Sequence, residues 1–481
     1  MRQHTGRCPA GRKPANSPAY RRHGNYAVLV CRLTAPSGQP DWENGRVSTQ
    51  PLADLSPTEL ERFLADKRAA YAALQDQGLK LDLTRGKPSA AQLDLANDLL
   101  SLPTGYRDED GVDVRNYGGL TGLRALREIF AELLWVEPDQ VIVGGNSSLT
   151  MMHDCLVQML LHGPVDGDAW QGQSVKFVCP VPGYDRHFTM LASYGIEMVS
   201  VEMAEDGPDV DAIERLIADD PSVKGMWIVP TYANPVGSTI SHEKAARLAA
   251  MPAAAADFKI FWDNAYAFHH LTEEEAKSED IISLCSAAGN PNRAIMFAST
   301  SKITFAGSGV AVLAASKGNI GWYQKHLQFA SIGPDKVNQL RHVQFFKDAQ
   351  GVRDHMVRHR EILAPKFAAV EDALSKELGG LEIATWSKPT GGYFVNLDVI
   401  DGTAARVVGL AKDAGIVLTP AGASFPYGED PDDRNIRLAP SFPVLAEVEA
   451  AMAGVATCVA LAAAEKLSAR HTATASTPEG N

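Results

Sequence analysis

Lys302 closes the stretch "STSK", residues 299–302, directly after an apolar run, "AIMFA", that reads as a strand. Three other apolar runs also end on groups with chemistry of their own. "VIV" leads into "GGNSS" (144–148), "GMWIVP" into "TYANPVGS" with Asn234, and "KIFW" into "DNAY" with Asp263 and Tyr266. Ligands of α/β sheets sit at the carboxyl ends of the strands. A glycine turn feeding a helix presents free N–H groups and a favourable dipole to a phosphate, and Ser147 and Ser148 would add hydroxyl donors. The same residues also make a plain helix cap. Asn234-Pro235 with Gly237 forces a turn that leaves an amide at the strand end, and alone it is no more than a turn. A desolvated carboxylate at Asp263 needs a salt bridge or a charged ligand. A desolvated ammonium at Lys302 lowers its pKa or takes another role, such as a Schiff base with a carbonyl compound; a lone "SK" pair is otherwise a surface loop.

Order ties these ends together. A phosphate cradle, an amide, an Asp with a Tyr, and then a lysine form the set that pyridoxal phosphate requires: anchor, ring-oxygen donors, pyridinium partner and aldehyde trap. The elements that must position them are legible between residues 141 and 315. There "VIVG", "VKFVC", "IEMVSV", "GMWIVP", "KIFWD", "AIMFAS" and "GVAVLAA" are mostly β-branched or aromatic and lack a polar face, as strands covered on both sides do. Helical segments between them, such as "SLTMMHDCLVQMLLHG" with Leu149, Met152, Leu156 and Met159 on one face, predict a mostly parallel α/β sheet. Past residue 335 a long polar helix, the strands "LEIATW", "GGYFVNLD", "IVLTP" and "NIRLAP", and a last helix predict a smaller α+β domain.

The expected division is a disordered basic extension over 1–48, an N-terminal arm and part of the small domain over 49–105, a large cofactor-binding domain over 106–335, a small C-terminal domain over 336–466 and a mobile tail over 467–481. Ser56 or Thr58 is expected to cap the first helix.

The 481 residues carry a net charge of −13, with acidic groups spread along the chain, which leaves no electrostatic footprint for nucleic acid. Residues 1–40 differ, with seven Arg or Lys and no Asp or Glu. The six cysteines (Cys8, Cys31, Cys155, Cys179, Cys285, Cys458) form no CxxC pair and no metal-ligand cluster, a pattern of the reducing cytosol. No metal site and no membrane span are expected, since the alanine-rich runs near 245–256 and 451–464 carry charges or proline.

The chain resembles the fold-type I pyridoxal-phosphate aminotransferases of class I/II from about residue 80 to 465. The motifs that carry the likeness are "LDLTRGKPS" around Gly86, "YGGLTGLRALREIF" with Tyr117, Gly122 and Arg124, "GGNSS", "PGYDRH", "NPVG", "DNAY", "STSK", "GGYF" and "NIRLAPS". "RGKPS", "PGYDRHF" and "YANPVG" further resemble a MocR-like bacterial subgroup of aspartate aminotransferases. The resemblance implies that Lys302 is the Schiff-base lysine and moves the substrate proton, and that Asp263 partners the pyridine nitrogen with His187 behind it. Asn234 and Tyr266 would bond the ring oxygen, Tyr184 would stack on the ring, and Ser147, Ser148, Ser299 and Ser301 would bind phosphate with Tyr117 of a second subunit. Arg437 would pair with the substrate α-carboxylate, beside Gly86 and Asn234.

At the position where the family carries a phosphate-binding arginine stand Gly309 and Val310, so "AGSG" with Ser308 would offer backbone N–H groups instead. An aspartate or glutamate side chain needs a second cation. Arg186 is preferred for this over Arg85, and each is equally a structural ion-pair residue.

The implied activity is ping-pong transamination of aspartate and 2-oxoglutarate to oxaloacetate and glutamate by a cytoplasmic homodimer with shared sites, acting on amino acids and 2-oxo acids. Transamination of another amino acid is the alternative, with a β-lyase or decarboxylase behind it. A transcription regulator with an aminotransferase-like domain would need a winged-helix segment ahead of it, where this chain has only the basic leader.

Overall fold

The apolar runs of residues 141–315 become one eight-stranded sheet in the computed structural model, which describes residues 50–475. The readings made for 1–48 and for 476–481 lie outside the described residues. Across the sheet the strands run Val141–Val143, Ala311–Ala315, Ala294–Ser299, Lys259–Asp263, Val223–Ile228, Lys176–Val181, Glu197–Ala204 and Gly207–Pro208. The central pairings are parallel. Ala311–Ala315 is antiparallel to both of its neighbours, so Val141–Val143 points the same way as Ala294–Ser299. The carboxyl ends of six strands, 141–143, 176–181, 197–204, 223–228, 259–263 and 294–299, therefore open on one edge of the sheet.

Alternation along a strand explains why these runs carry no polar face. Side chains point to opposite faces with period two, and here both faces are covered. Ile260 and Trp262 enter one core with Met226, Ile228 and Met296, packed under helices Arg124–Leu134 and His242–Ala250. Phe261 enters the other with Phe177, Trp227 and Phe297, packed under helix Ser148–His162. Glu197–Ala204, near the sheet edge, departs from this and buries only Met198 and Val201.

The remaining elements share a third core. It joins an antiparallel sheet of Ala384–Trp386, Val395–Val399 and Asn435–Leu438, the parallel pair Leu81–Asp82 with Ile416–Val417, and helices Pro57–Asp76, Ala349–Leu378, Ala404–Asp413 and Leu445–Ala475. Ser56 caps the first helix through a reciprocal box with Glu59.

Three sequence expectations are corrected. The single long helix after residue 335 is two helices, Lys336–Phe346 and Ala349–Leu378. Lys347 takes φ +69° between them, Asp348 caps the second helix by accepting from Gly351 N at 2.8 Å, and a Cβ on Gly351 would overlap the Phe346 carbonyl. The last helix continues past 466 to Ala475, with Leu467 still packed on the core. Its stretch Leu445–Thr472, with mean hydropathy 1.6, is also long and apolar enough to cross a membrane, because its charges gather at the two ends. In this fold Val448, Ala451, Met452, Val455 and Val459 are buried, and the helix packs against Pro57–Asp76 and Ala349–Leu378 as a core helix does.

At the starts of the parallel strands a buried polar cluster is fully satisfied. Lys224 Nζ lies 2.8 Å from Asp257 Oδ1, and Trp170 Nε1 donates to Asp257 Oδ2 at 2.7 Å. Removing one member of such a pair strands the other charge in the core. Asp257→Ala is expected to lose about 3–5 kcal/mol of stability, read as a lower denaturant midpoint, and an unchanged midpoint would show the cluster to be energetically idle.

Candidate active site

Asp263 is the last residue of its strand and is 4% exposed. Its Oδ2 is 3.1 Å from His187 Nε2, and its buried Oδ1 has no hydrogen-bond partner among the described residues. His187 is delivered by helix Asp185–Ser193 and is fixed by its neighbours: the ring stacks on Trp227 at 4.2 Å and meets the Tyr184 edge at 4.9 Å. Burial, aided by the Asp263 charge, pushes the Tyr184 phenol up to about 12. A buried carboxylate oxygen left unpaired is costly, so this position suits a cationic N–H donor such as a protonated ring nitrogen.

Lys302 sits in the turn after Ala294–Ser299, with Nζ 4.8 Å from the centre of the Tyr266 ring. Burial lowers its pKa and the Asp263 charge opposes this in part, which favours the neutral, nucleophilic amine. Burial raises the Tyr266 phenol well above its ordinary value, leaving it a protonated donor. The turn is tied to its strand partner through Thr300, whose Oγ1 accepts from Val310 N at 2.9 Å and from Thr304 Oγ1 at 3.0 Å.

The glycine turn after Val141–Val143 is stitched to the lysine loop. Ser301 Oγ donates to Asn146 O at 3.2 Å, Ser299 Oγ donates to Ser301 Oγ at 3.1 Å, and Asn146 Nδ2 donates to Gly307 O at 3.0 Å. Ser147 caps the helix by accepting from Thr150 N, and Ser148 is that helix's first residue. The plain-cap reading of Ser147 thus holds, and it coexists with a 15-residue helix starting beside the loop that carries Ser299 and Ser301. At the place of the family arginine, Gly309 packs so tightly on Thr300 that a Cβ would lie 2.6 Å from its hydroxyl, and Val310 is buried. Neither supplies charge.

On the other side, Arg437 is 7% exposed within Asn435–Leu438. Its Nη1 donates to Asp185 Oδ1 at 3.0 Å and reaches Asn234 Oδ1 at 3.5 Å, while its guanidinium lies 5.0 Å over the Phe394 ring. Its Nε is buried without a partner among the described residues, which leaves the Nε edge for a carboxylate. A Cβ on Gly86 would overlap the Phe394 ring, so only glycine lets that loop close on the site.

The structure therefore brings Asp263, His187, Tyr184, Asn234, Tyr266, Lys302, Arg437 and Gly86 together, with Ser147, Ser148, Ser299 and Ser301 along one side. Two predicted residues stand apart. Arg186 is exposed and makes no hydrogen bond or ion pair from its side chain among the described residues, although its charge reaches Tyr184. Tyr117 is 80% exposed and does not enter this chain's site. Sequence reasoning missed Asp185, the partner of Arg437, although it lies inside "PGYDRH". It also assigned no role to Tyr393 and Phe394 of "GGYF", and passed over Gln92, His269, His355 and His359.

The carboxylate with an unmet oxygen, the hydroxyl-lined turn and the buried lysine over the Tyr266 ring fit pyridoxal phosphate. Comparisons with known proteins agree. The family model for aspartate amino-transferase matches residues 55–471. A relative from Mycolicibacterium smegmatis is 59% identical over 403 residues, 82% of this chain and 94% of its own length. The aspartate aminotransferase of Corynebacterium glutamicum is 50% identical over 423 residues, 87% of this chain and 98% of its own. A crystal structure of an aspartate transaminase from Corynebacterium glutamicum superposes with TM-score 0.86, covering 87% of this chain and 100% of that one at 50% identity. At 21% identity and TM-score 0.64, the α-aminoadipate aminotransferase of Thermus thermophilus shares the fold over 82% of this chain and 95% of its own. The chain belongs to the aspartate aminotransferase family and is a pyridoxal-phosphate-dependent aminotransferase of fold type I.

Proposed function

We propose that this aminotransferase takes its amino group from aspartate and passes it to 2-oxoglutarate, releasing oxaloacetate and then glutamate in a ping-pong cycle. The observation that carries the reading is the Asp263 pair: one oxygen on His187, the other buried and unmet, on the strand beside the one that leads to Lys302. Pyridoxal phosphate, when bound, supplies an aldehyde for the amino group and a ring that accepts the electrons of the Cα–H bond. The chain's residues do the rest. Asp263 holds the ring-nitrogen proton, with His187 fixing its orientation. Asn234 and the protonated Tyr266 phenol hydrogen-bond the ring oxygen, and Tyr184 covers the ring face. Ser147, Ser148, Ser299 and Ser301 hold the phosphate with Tyr117 of the partner subunit. Lys302 Nζ, its pKa lowered by burial, takes the proton from the substrate Cα.

Arg437 receives the substrate α-carboxylate on its Nε edge, because Asp185 occupies Nη1 and so sets the guanidinium plane. Arg186 is assigned the side-chain carboxylate. The 50% identity to an enzyme named aspartate aminotransferase supports aspartate as donor. The working form is a cytoplasmic homodimer. Its support is the exposed apolar surface at Tyr117 (80% exposed), Phe329 (80%) and Ile332 (64%), where Gly118 N donates to Ile332 O and joins the segments. Residues 106–335, with helix Lys336–Phe346 packed into the same core, form the cofactor-binding domain, and the smaller one runs from the next helix to the end of the last helix at Ala475, with 49–105 spanning the arm and part of the latter.

With pyridoxal phosphate, the purified protein is expected to develop a visible band that L-aspartate bleaches without an oxo acid, releasing oxaloacetate. A band that aspartate leaves unchanged would reject aspartate and keep Lys302; no band would reject both. Lys302→Ala should lose at least the roughly 10²–10⁴-fold that a positioned proton-transfer group contributes, while circular dichroism and melting stay those of a folded protein. Steady turnover near the parent rate would overturn the assignment. Arg186→Leu is expected to lower kcat/KM for aspartate about a hundredfold and for alanine little, as loss of the cation that meets the substrate's side-chain carboxylate requires. An unchanged aspartate-to-alanine ratio removes Arg186 as the anchor.

A further inference from the structure

The turn that carries Lys302 offers two backbone carbonyls to a cluster of buried polar side chains. Tyr393 Oη donates to Lys302 O at 3.2 Å, and His269 Nε2 lies 3.4 Å from the same oxygen. His355 Nε2 lies 2.8 Å from Ile303 O, and His359, one helical turn further along Ala349–Leu378, places Nε2 3.1 Å from His355 Nε2 and also reaches the Ile303 backbone. Gln92 closes the cluster: its Nε2 donates to Tyr393 Oη at 2.8 Å and to His359 Nδ1 at 3.1 Å. Gln92 and Tyr393 are fully buried, and His359, His269 and His355 are 5% exposed or less.

The proton positions follow from the bonds. Gln92 Oε1 accepts from Ser89 N and Oγ, which turns the amide nitrogen toward Tyr393 and His359. His359 Nδ1 is then an acceptor and its proton sits on Nε2. The Tyr393 oxygen accepts from Gln92, so its own proton goes to Lys302 O. His355 Nε2–H is directed at Ile303 O, and His359 Nε2, 3.1 Å from His355 Nε2, crowds the same carbonyl. An added proton on His359 would go to Nδ1 and face the Gln92 N–H, setting two donors against each other.

Such a network is expensive beside apolar packing. Its outlets are the carbonyls of Lys302 and of the residue after it. We propose that Gln92, Tyr393, His355 and His359 are positioning residues for Lys302, locking the two carbonyls at its base so that Nζ is held over Tyr266, and coupling that lock to the packing of Ala349–Leu378 and of the strand after Tyr393. The proposal rests on Lys302 being the reacting lysine. Arg358 on the same helix acts on both histidines of the pair, His359 is coupled to His269, and His269 in turn feels Lys302 and His270. None is a carboxylate. Burial first and these neighbours second bring His359 down to about 3 and lower His355 and His269, so the imidazoles stay neutral and the lock stays assembled at neutral pH. A free imidazole ionises near 6.5. The stability these groups contribute is therefore full above about 6.5 and falls away as pH drops from there toward about 3.

The test uses Tyr393→Phe, which removes one oxygen, with His359→Leu and His359→Gln, whose amide can still accept from Gln92 and donate to Ile303 O. With pyridoxal phosphate bound, Tyr393→Phe and His359→Leu should shift the pH midpoint of the visible band by about half a unit or more and lower kcat about tenfold, the worth of one buried hydrogen bond. His359→Gln should restore most of both. In the cofactor-free protein, amides 301–304 should exchange with solvent about tenfold faster in the first two variants. Variants that melt earlier yet keep the band midpoint and the exchange of 301–304 would make the cluster merely structural and overturn the proposal. Tyr393→Phe decides the matter if His359→Leu does not fold. A parent protein with no visible band would instead overturn the reading of Lys302, and this proposal with it.

Discussion

A buried carboxylate with only one of its oxygens satisfied, Asp263, is the constraint around which the site is arranged. Water cannot solvate it at 4% exposure. His187 must hold one oxygen, Trp227 must stack on His187, and Tyr184 must lean on its edge. That chain of contacts fixes where helix Asp185–Ser193 begins, and the first residue of that helix, Asp185, then grips Arg437 from the small antiparallel sheet. One ion placed at a strand end thus sets the cofactor side and the substrate side together.

Polar satisfaction is uneven across the sheet, and most of the unmet oxygens lie near the site. At the starts of the parallel strands Lys224, Asp257 and Trp170 satisfy one another, as a stable core requires. At the opposite edge the buried atoms without partners include Asp263 Oδ1, Asn264 Oδ1, His269 Nδ1, Thr231 Oγ1, Ser238 Oγ and Arg437 Nε. Each belongs to a segment that follows or flanks a strand end, or to the strand bearing Arg437. Unmet hydrogen-bonding capacity costs stability and is tolerated where a ligand can meet it. The same edge is reached by six strands because Ala311–Ala315, reversed between its neighbours, lets Val141–Val143 and Ala294–Ser299 point the same way.

Much of this was legible in the sequence because it is local. Apolar runs with no polar face predicted strands buried on both sides, and the residues just past them, Asn234, Asp263, Tyr266 and Lys302, sit where strand-end logic placed them. The two-residue strand Leu81–Asp82 and the break at Lys347 were less visible, since one depends on a partner over three hundred residues away and the other on the close approach Gly351 permits. The histidine cluster was invisible for a related reason. His355 and His359 read as polar positions on an amphipathic helix, and only tertiary packing brings Gln92 and Tyr393 to them. Tyr117 and Arg186 are legible as motif members, yet both stay exposed in this chain.

The missing arginine and the buried histidines belong to one solution. Where the resemblance leads one to expect a cation, Gly309 closes on the Thr300 hydroxyl and Val310 donates its N–H to it. Thr300 Oγ1 accepts from Thr304, whose hydroxyl meets His342 Nε2 at 3.0 Å, while Asn338 donates to the carbonyls of Ser308 and Gly309. Burial brings His342 down to about 4, so it too stays neutral. The turn 300–304 is therefore gripped through Thr300 and Thr304 by hydroxyls and His342, and through Lys302 and Ile303 by Tyr393 and the His355–His359 pair. A long cation at 309 or 310 would need the space these neutral contacts occupy. The fold has placed its order in the backbone beneath Lys302, and what the loop gives up in charge it gains in a lysine whose base is bonded at every residue from 300 to 304 except Ser301, which turns instead to Asn146 and the glycine loop.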